Sequence, residues 1–261
     1  MIADILNRID CALDAAAGVL ENFTAGEIEA TLKAGDDPVT EADLAVNEVL
    51  LGILPRDGEA WLSEETKDDA ARIASRRLWI VDPIDGTREF VQGIPEWCVS
   101  IGFVVDGQAV AGGILSPSRN QKIVGSLENG VTLNGAPVSP RGTNAAEDTV
   151  VLASRSEIGR GEWAQYEGRS WELRPMGSVA LKMGLVAAGL ADATWTLVPK
   201  HEWDVAAGTA LVHAAGGRVF VPGRGEPTFN QADLLFPGLA ALGAGTEDLF
   251  AGETFTLAPS R

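Results

Sequence analysis

The sequence predicts a mixed α/β protein in two halves, a helical pair on an antiparallel sheet followed by an alternating α/β layer. Three observations carry that reading. Apolar residues recur at helical spacing near the start of the chain. Hairpin turns then divide long β-rich runs. After residue 148, strand-like and helix-like segments alternate.

The first half opens with an amphipathic helix over 2–22, marked by Ile2, Ile5, Leu6, Ile9, Leu13, Ala16, Val19 and Leu20. A turn-rich segment over 33–38 precedes a second helix near 40–53, whose Thr40-Glu41-Ala42-Asp43 has the form of a capping box with Asp in place of Glu. Taken alone, Asp43 reads as that cap. A short strand, Ala60-Trp61-Leu62-Ser63, runs into Glu64 and Glu65, acidic residues at a strand end rather than on a solvated face. The apolar pattern from Trp97 to Pro117 is split by Asp106-Gly107, and further strands are expected near 121–127 and 130–138, with the Asn134-Gly135 turn near the end of the second. Residues 139–148 are polar and turn-rich, a natural link between domains at 1–140 and 141–261. Beyond the link the sequence predicts strands at 149–153, 171–174, 193–197, 218–221 and 239–243, with helices near 160–167, 178–190 and 203–215.

Composition narrows the function. Of 261 residues 46% are hydrophobic, which suits a globular protein with a substantial core. Acidic residues outnumber basic ones 37 to 20, for a net charge of −17. Such a chain repels nucleic-acid polymers and anionic membranes, and an anionic small substrate is awkward for it unless divalent cations intervene. The two cysteines, Cys11 and Cys98, have no metal-ligand spacing and read as small packed hydrophobes in a reducing compartment. Met1 to Leu6 lacks a basic n-region leading into an unbroken apolar stretch, and no run is long enough to span a bilayer. The expectation is a soluble, cytoplasmic protein. No Gly-x-Gly-x-x-Gly follows an early strand, which argues against a nucleotide-cofactor oxidoreductase.

The densest chemistry lies in Leu78-Trp79-Ile80-Val81-Asp82-Pro83-Ile84-Asp85-Gly86-Thr87. A β-rich run delivers Asp82 to a sheet edge, Pro83 removes a ladder donor, and Gly86 permits a close approach before a helix that Thr87 begins. Spacing alone fits two readings equally: a capped turn, or two carboxylates holding hard cations against a phosphate. Lys200-His201-Glu202-Trp203-Asp204 opens a helix whose Ala206, Ala207 and Gly208 suit close packing, with Asp204 in its first turn.

Asp82-Pro83-Ile84-Asp85-Gly86-Thr87, with Glu64-Glu65 upstream and Trp203-Asp204-Val205-Ala206-Ala207-Gly208 downstream, resembles the inositol monophosphatase superfamily of magnesium-dependent, lithium-sensitive phosphomonoesterases. Asp37 to Asp43, Leu133-Asn134-Gly135 and Ala214-Ala215-Gly216-Gly217 extend the likeness over roughly residues 30–220. The resemblance implies a layered αβαβα sandwich, with an antiparallel sheet in the N-terminal half and a second, mixed sheet in the C-terminal half. It implies two or three Mg2+ ions. Glu64, Asp82, the Ile84 carbonyl and Thr87 would surround the first; Asp82, Asp85 and Asp204 would hold the second; Glu64 would serve a third. Asp43 and Thr87 would polarise the attacking water, and the Gly86 and Thr87 N–H groups would receive phosphate, so that Gly86, Thr87, Asp85 and Asp204 lie around the substrate. Only His201 and His213 are present, and an oxygen-ligated magnesium centre requires neither.

Thr87-Arg88-Glu89-Phe90, Glu202-Trp203-Asp204 and Ala153-Ser154-Arg155-Ser156 resemble the 3′(2′),5′-bisphosphate nucleotidase branch, which removes the 3′-phosphate of 3′-phosphoadenosine 5′-phosphate. Inositol monophosphatases place an acidic inositol contact before the Trp-Asp pair, where this chain has Leu197. Gly93-Ile94-Pro95-Glu96-Trp97 resembles histidinol-phosphate phosphatases instead. Inositol 1-phosphate and histidinol phosphate are therefore the alternative substrates, and a metal-binding regulatory protein is the non-enzyme alternative. Arg155, Lys182 and Lys200 are candidate partners for a second phosphate, against the simpler reading of surface charge. The resemblance also suggests a homodimer.

Overall fold

The computed structural model describes residues 2–32, 38–142 and 145–258. The segment expected to turn at 33–38 therefore lies largely outside the described residues, as does part of the 139–148 link.

Helix α1 (Ile2–Leu20) ends two residues short of its predicted limit and buries Ile5, Ile9, Ala12, Leu13 and Ala16. Cys11 points the other way and is exposed, contrary to its expected burial, because it falls off the apolar stripe. A two-residue ladder, β1 (Thr31–Leu32) with β2 (Pro38–Val39), leads into α2 (Glu41–Ile53). Next come β3 (Ala60–Ser63), a 3-10 turn at Ala70–Ala74, β4 (Arg77–Asp85) and the short α3 (Thr87–Val91). Strands β5 (Cys98–Val105) and β6 (Gln108–Ser116) meet at Asp106 and Gly107, whose φ values of 49° and 81° give the tight hairpin the sequence predicts. Then β7 (Gln121–Ser126), β8 (Gly130–Leu133) and β9 (Ala136–Pro137) complete a seven-stranded sheet in simple sequence order.

That sheet is antiparallel except at one edge, where β3 runs parallel to β4 through the crossover over residues 64–76. Strand β4 also departs from the expected end at Asp82. The ladder slips between Asp82 and Asp85 and resumes at the Asp85–Cys98 pair, so Pro83 and Ile84 form a bulge rather than a terminus.

The second half contains β10 (Val150–Ser154), α4 (Arg155–Gly159), β11 (Glu172–Met176), α5 (Val179–Ala187), β12 (Ala193–Thr196), β13 (Lys200–His201), α6 (Glu202–Ala214), β14 (Arg218–Phe220), β15 (Leu235–Phe236) and β16 (Leu239–Leu242). The five-stranded order is β11-β10-β12-β16-β14, parallel at β11-β10-β12 and antiparallel at β12-β16-β14. The mixed sheet is as expected. The helix predicted near 160–167 is not: α4 sits earlier, and only a 3-10 turn at Ala164–Tyr166 follows. Gly159 and Gly161 interrupt the helix, while Trp163 and Tyr166 are drawn under the sheet.

Alternation along the strands builds the layers. Trp79 and Val81 face α1 and α2; Leu78 and Ile80 face α5 and α6. Val150 and Leu152 face those same helices from the other side, and Val151, Ala153 and Trp195 look outward onto Trp163, Tyr166, Trp171 and Phe250. The result is an αβαβα sandwich whose fifth layer is mostly aromatic side chains. Helix α6 sits close against the large sheet: a Cβ at Gly112 would lie 2.6 Å from the Ala207 carbonyl oxygen, and one at Gly102 would lie 2.8 Å from Ala206 Cβ. The start of α6, and Asp204 with it, is thereby brought to the bulge of β4.

Candidate active site

The bulge, the start of α6 and the start of α5 line a cavity of about 390 Å³, with Glu64, Asp82, Asp85, Gly86, Thr87 and Asp204 all on its wall. One carboxylate oxygen from each of Asp82, Asp85 and Asp204 lies within 4.8 Å of the other two. Three anions held that close repel one another unless protonated or neutralised. Burial, reinforced by Glu64, Asp85, Asp204 and Asp43, pushes the Asp82 carboxyl well above the usual range. Burial also pushes Asp204 up to about 7, against the pull of Lys200. An all-oxygen donor set with excess negative charge fits a hard divalent cation.

Each carboxylate is aimed by a local device. Asp82 Oδ1 accepts the Ile84 N–H at 3.0 Å across the bulge. Asp204 accepts the His201 N–H at 2.9 Å, an N-terminal cap as well as a wall of the cavity. Asp85 Oδ2 accepts the Ser178 hydroxyl at 2.5 Å and the Ala180 N–H at 2.6 Å, so the start of α5 seats it. Gly86 turns the chain at φ 98°, and a Cβ there would lie 2.9 Å from the Glu96 carbonyl oxygen, so glycine is required.

Asp43 divides its two oxygens. Oδ2 accepts the Thr40 N–H at 2.8 Å and the Thr40 hydroxyl at 2.6 Å, the capping box that the sequence predicts. Oδ1 lies 3.1 Å from the Thr87 hydroxyl, which is also 2.9 Å from the Ile84 carbonyl oxygen. Burial raises the Asp43 carboxyl, and the Thr40 and Thr87 hydrogen bonds oppose that rise. The cap and a hydrogen bond to Thr87 are thus both present in one side chain.

The cations fare differently from one another. Arg155 stands off the cavity wall, with Nη2 2.5 Å from Glu96 Oε2. Lys182 is 2% exposed and directs Nζ at the Met176, Gly177 and Ser178 carbonyl oxygens, at 3.4, 3.3 and 2.9 Å. Lys182 nonetheless borders the cavity, and so do Lys200, Arg88 and Arg160. Leu197 is buried in the outer aromatic layer and is absent from the cavity wall. Ser178 and Glu89, which sequence reasoning did not assign to the site, are on that wall. Ser178 carried a signal as the polar residue ahead of an apolar helix, but its bond to Asp85 spans 93 residues and left no local trace.

Fold and site together define a class: a two-sheet sandwich with a cluster of carboxylates, able to hold a cation, where the halves meet. Residues 4–248 match the inositol monophosphatase family, and the chain belongs to that family of phosphomonoester hydrolases. An inositol-1-monophosphatase of Mesorhizobium japonicum is 32% identical over 223 residues, 81% of this chain and 82% of its own. Among solved structures, the extragenic suppressor protein SuhB of Bartonella henselae superimposes with a TM-score of 0.80 at 27% identity, covering 94% of this chain and 96% of that one. CysQ of Bacteroides thetaiotaomicron, a bacterial member of the family, gives 0.74 at 29% identity over 91% of this chain and 96% of that one. Among the described residues no helix is long and apolar enough to cross a membrane.

Proposed function

We propose that the chain is a magnesium-dependent, lithium-sensitive phosphomonoesterase. The observation that carries this reading is the convergence of Asp82, Asp85 and Asp204 oxygens within 4.8 Å beside Gly86 and Thr87. Glu64, Asp82, Asp85, Asp204 and the Ile84 carbonyl would hold two or three Mg2+ ions. When bound, such ions acidify water and stabilise a leaving alkoxide.

The chain's own groups do the rest. Thr87 donates a hydrogen bond from its hydroxyl to Asp43, which leaves its lone pairs to accept a hydrogen bond from the attacking water and orient it. As the water attacks, its proton passes through the Thr87 hydroxyl to the Asp43 carboxylate. Gly86 and Thr87 present backbone N–H groups to the phosphate. Water attacks phosphorus from the side opposite the ester oxygen, which departs and takes up a proton from solvent water.

The proposed substrate is the 3′-phosphate of 3′-phosphoadenosine 5′-phosphate. Lys200, Arg88 and Arg160 on the cavity wall support a ligand with a second negative group, and Leu197 brings no carboxylate of its own to the place of the inositol contact. Inositol 1-phosphate is the second reading, favoured by the likeness to the Mesorhizobium enzyme. Phosphate release from 3′-phosphoadenosine 5′-phosphate, inositol 1-phosphate, histidinol phosphate and fructose 1,6-bisphosphate, compared as kcat/KM, separates them. The bisphosphonucleotide is expected to be first by at least about tenfold, roughly 1.4 kcal/mol of transition-state binding. A higher kcat/KM for inositol 1-phosphate would replace it. Two free cysteines support a reducing, cytoplasmic compartment.

A further inference from the structure

Lys182 occupies a position that ordinary stability rules disfavour. It lies in the opening turns of α5, where the helix dipole opposes a cation, and it is 2% exposed. Its side chain runs back toward the helix start, as helical side chains do, and meets three consecutive carbonyl oxygens, those of Met176, Gly177 and Ser178.

The peptide groups of this turn are sorted by polarity. Carbonyls gather on the Lys182 ammonium, while N–H groups serve anions: Gly177 donates to Glu96 at 2.8 Å and Ala180 to Asp85 at 2.6 Å. Between them Ser178 is held at φ 52° and ψ 114°, a conformation that a residue with a side chain adopts only under constraint. In that conformation the Ser178 hydroxyl accepts the Leu181 N–H at 3.0 Å and donates to Asp85. Three inward-turned carbonyls repel one another in a buried turn, and a fixed cation offsets that repulsion.

We propose that Lys182 is a positioning residue for the cation site: it holds the strained Ser178 turn and, through Ser178 and the Ala180 N–H, fixes the carboxylate of Asp85. The inference rests on the reading of Asp82, Asp85 and Asp204 as a cation site.

The test is calorimetric titration of magnesium alone into the full chain, its Lys182→Met variant and its Ser178→Ala variant. Thermal melts of each protein accompany it, and so do kcat and KM for 3′-phosphoadenosine 5′-phosphate at saturating magnesium. Met keeps the aliphatic packing and removes the charge. Both variants are expected to bind magnesium about tenfold or more weakly, the usual cost of losing a group that orients a metal ligand, with KM unchanged. The double variant is expected to bind no more weakly than the weaker single one, since both changes act on one seat. Wild-type magnesium affinity in folded Lys182→Met overturns the proposal. So does a raised KM at wild-type magnesium affinity, which makes Lys182 a substrate contact. If Lys182→Met does not fold, undiminished affinity in Ser178→Ala overturns it instead. A wild-type chain that takes up no magnesium overturns the cation-site reading itself.

Discussion

The two sides of the cavity are built on different principles. On the β4 side, Asp82, Gly86 and Thr87 lie within six residues, and one bulge and one glycine turn set their directions. On the other side, Asp204 depends on where α6 rests against the large sheet, and Asp85 on where α5 begins. The near side is therefore local geometry, and the far side is tertiary packing transmitted through two helices. Damage to the near side should destroy chemistry directly, while damage to the far side should act in proportion to helix displacement.

Glycine substitutions separate the two. Gly86→Ala forces a Cβ into a positive-φ turn and against the Glu96 carbonyl, with an expected loss of about 1–3 kcal/mol in stability together with nearly all turnover. Gly112→Ala places its methyl against the Ala207 backbone, far from the β4 bulge in sequence. It is expected to cost a similar 1–3 kcal/mol by overpacking, but to lower kcat/KM less and to weaken magnesium activation through Asp204. Denaturant melts and magnesium-dependent rates for both variants check this. Equal losses of activity at equal losses of stability would erase the distinction between the two sides.

A smaller effect lies in pH. Asp204 titrates near 7 in the folded chain and near 3.9 when unfolded, and Asp82 is raised in the same direction by burial and its acidic neighbours. The folded state therefore holds more protons through that window, and the metal-free protein loses stability as pH rises from about 4 to about 7. A bound cation relieves the repulsion. The rise in Tm on adding magnesium should grow from pH 5 to pH 8 in differential scanning calorimetry. A rise independent of pH would mean that magnesium acts elsewhere.

The same contrast explains how much was legible in the sequence. Thr40 with Asp43, the Asp106-Gly107 hairpin and the strand leading to Asp82 are short-range patterns, and each forms as expected. Asp43 was readable as a cap, but its second oxygen on Thr87 bridges 44 residues. The bulge at Pro83 was read as a strand end, because loss of one ladder donor does not reveal that pairing resumes at Asp85. Alternation of strand-like and helix-like segments suggested a helix near 160–167, yet the rings of Trp163 and Tyr166 are claimed by the outer face of the small sheet. Lys182 and Arg155 looked alike as cations near element ends. Only the fold shows one closing a turn and the other paired with Glu96.

The central claim is that Asp82, Asp85 and Asp204 form one cation site that drives phosphate-ester hydrolysis. Its most direct test is phosphate release from 3′-phosphoadenosine 5′-phosphate and inositol 1-phosphate by the wild-type, Asp82→Asn and Asp204→Asn proteins. Each is stripped with chelator and then titrated with magnesium. The wild-type protein should be silent when stripped and recover fully with magnesium, and both folded variants should remain at least about a hundredfold slower at every magnesium concentration. Full turnover in the stripped wild-type protein, or near-normal turnover in either variant, would contradict the account.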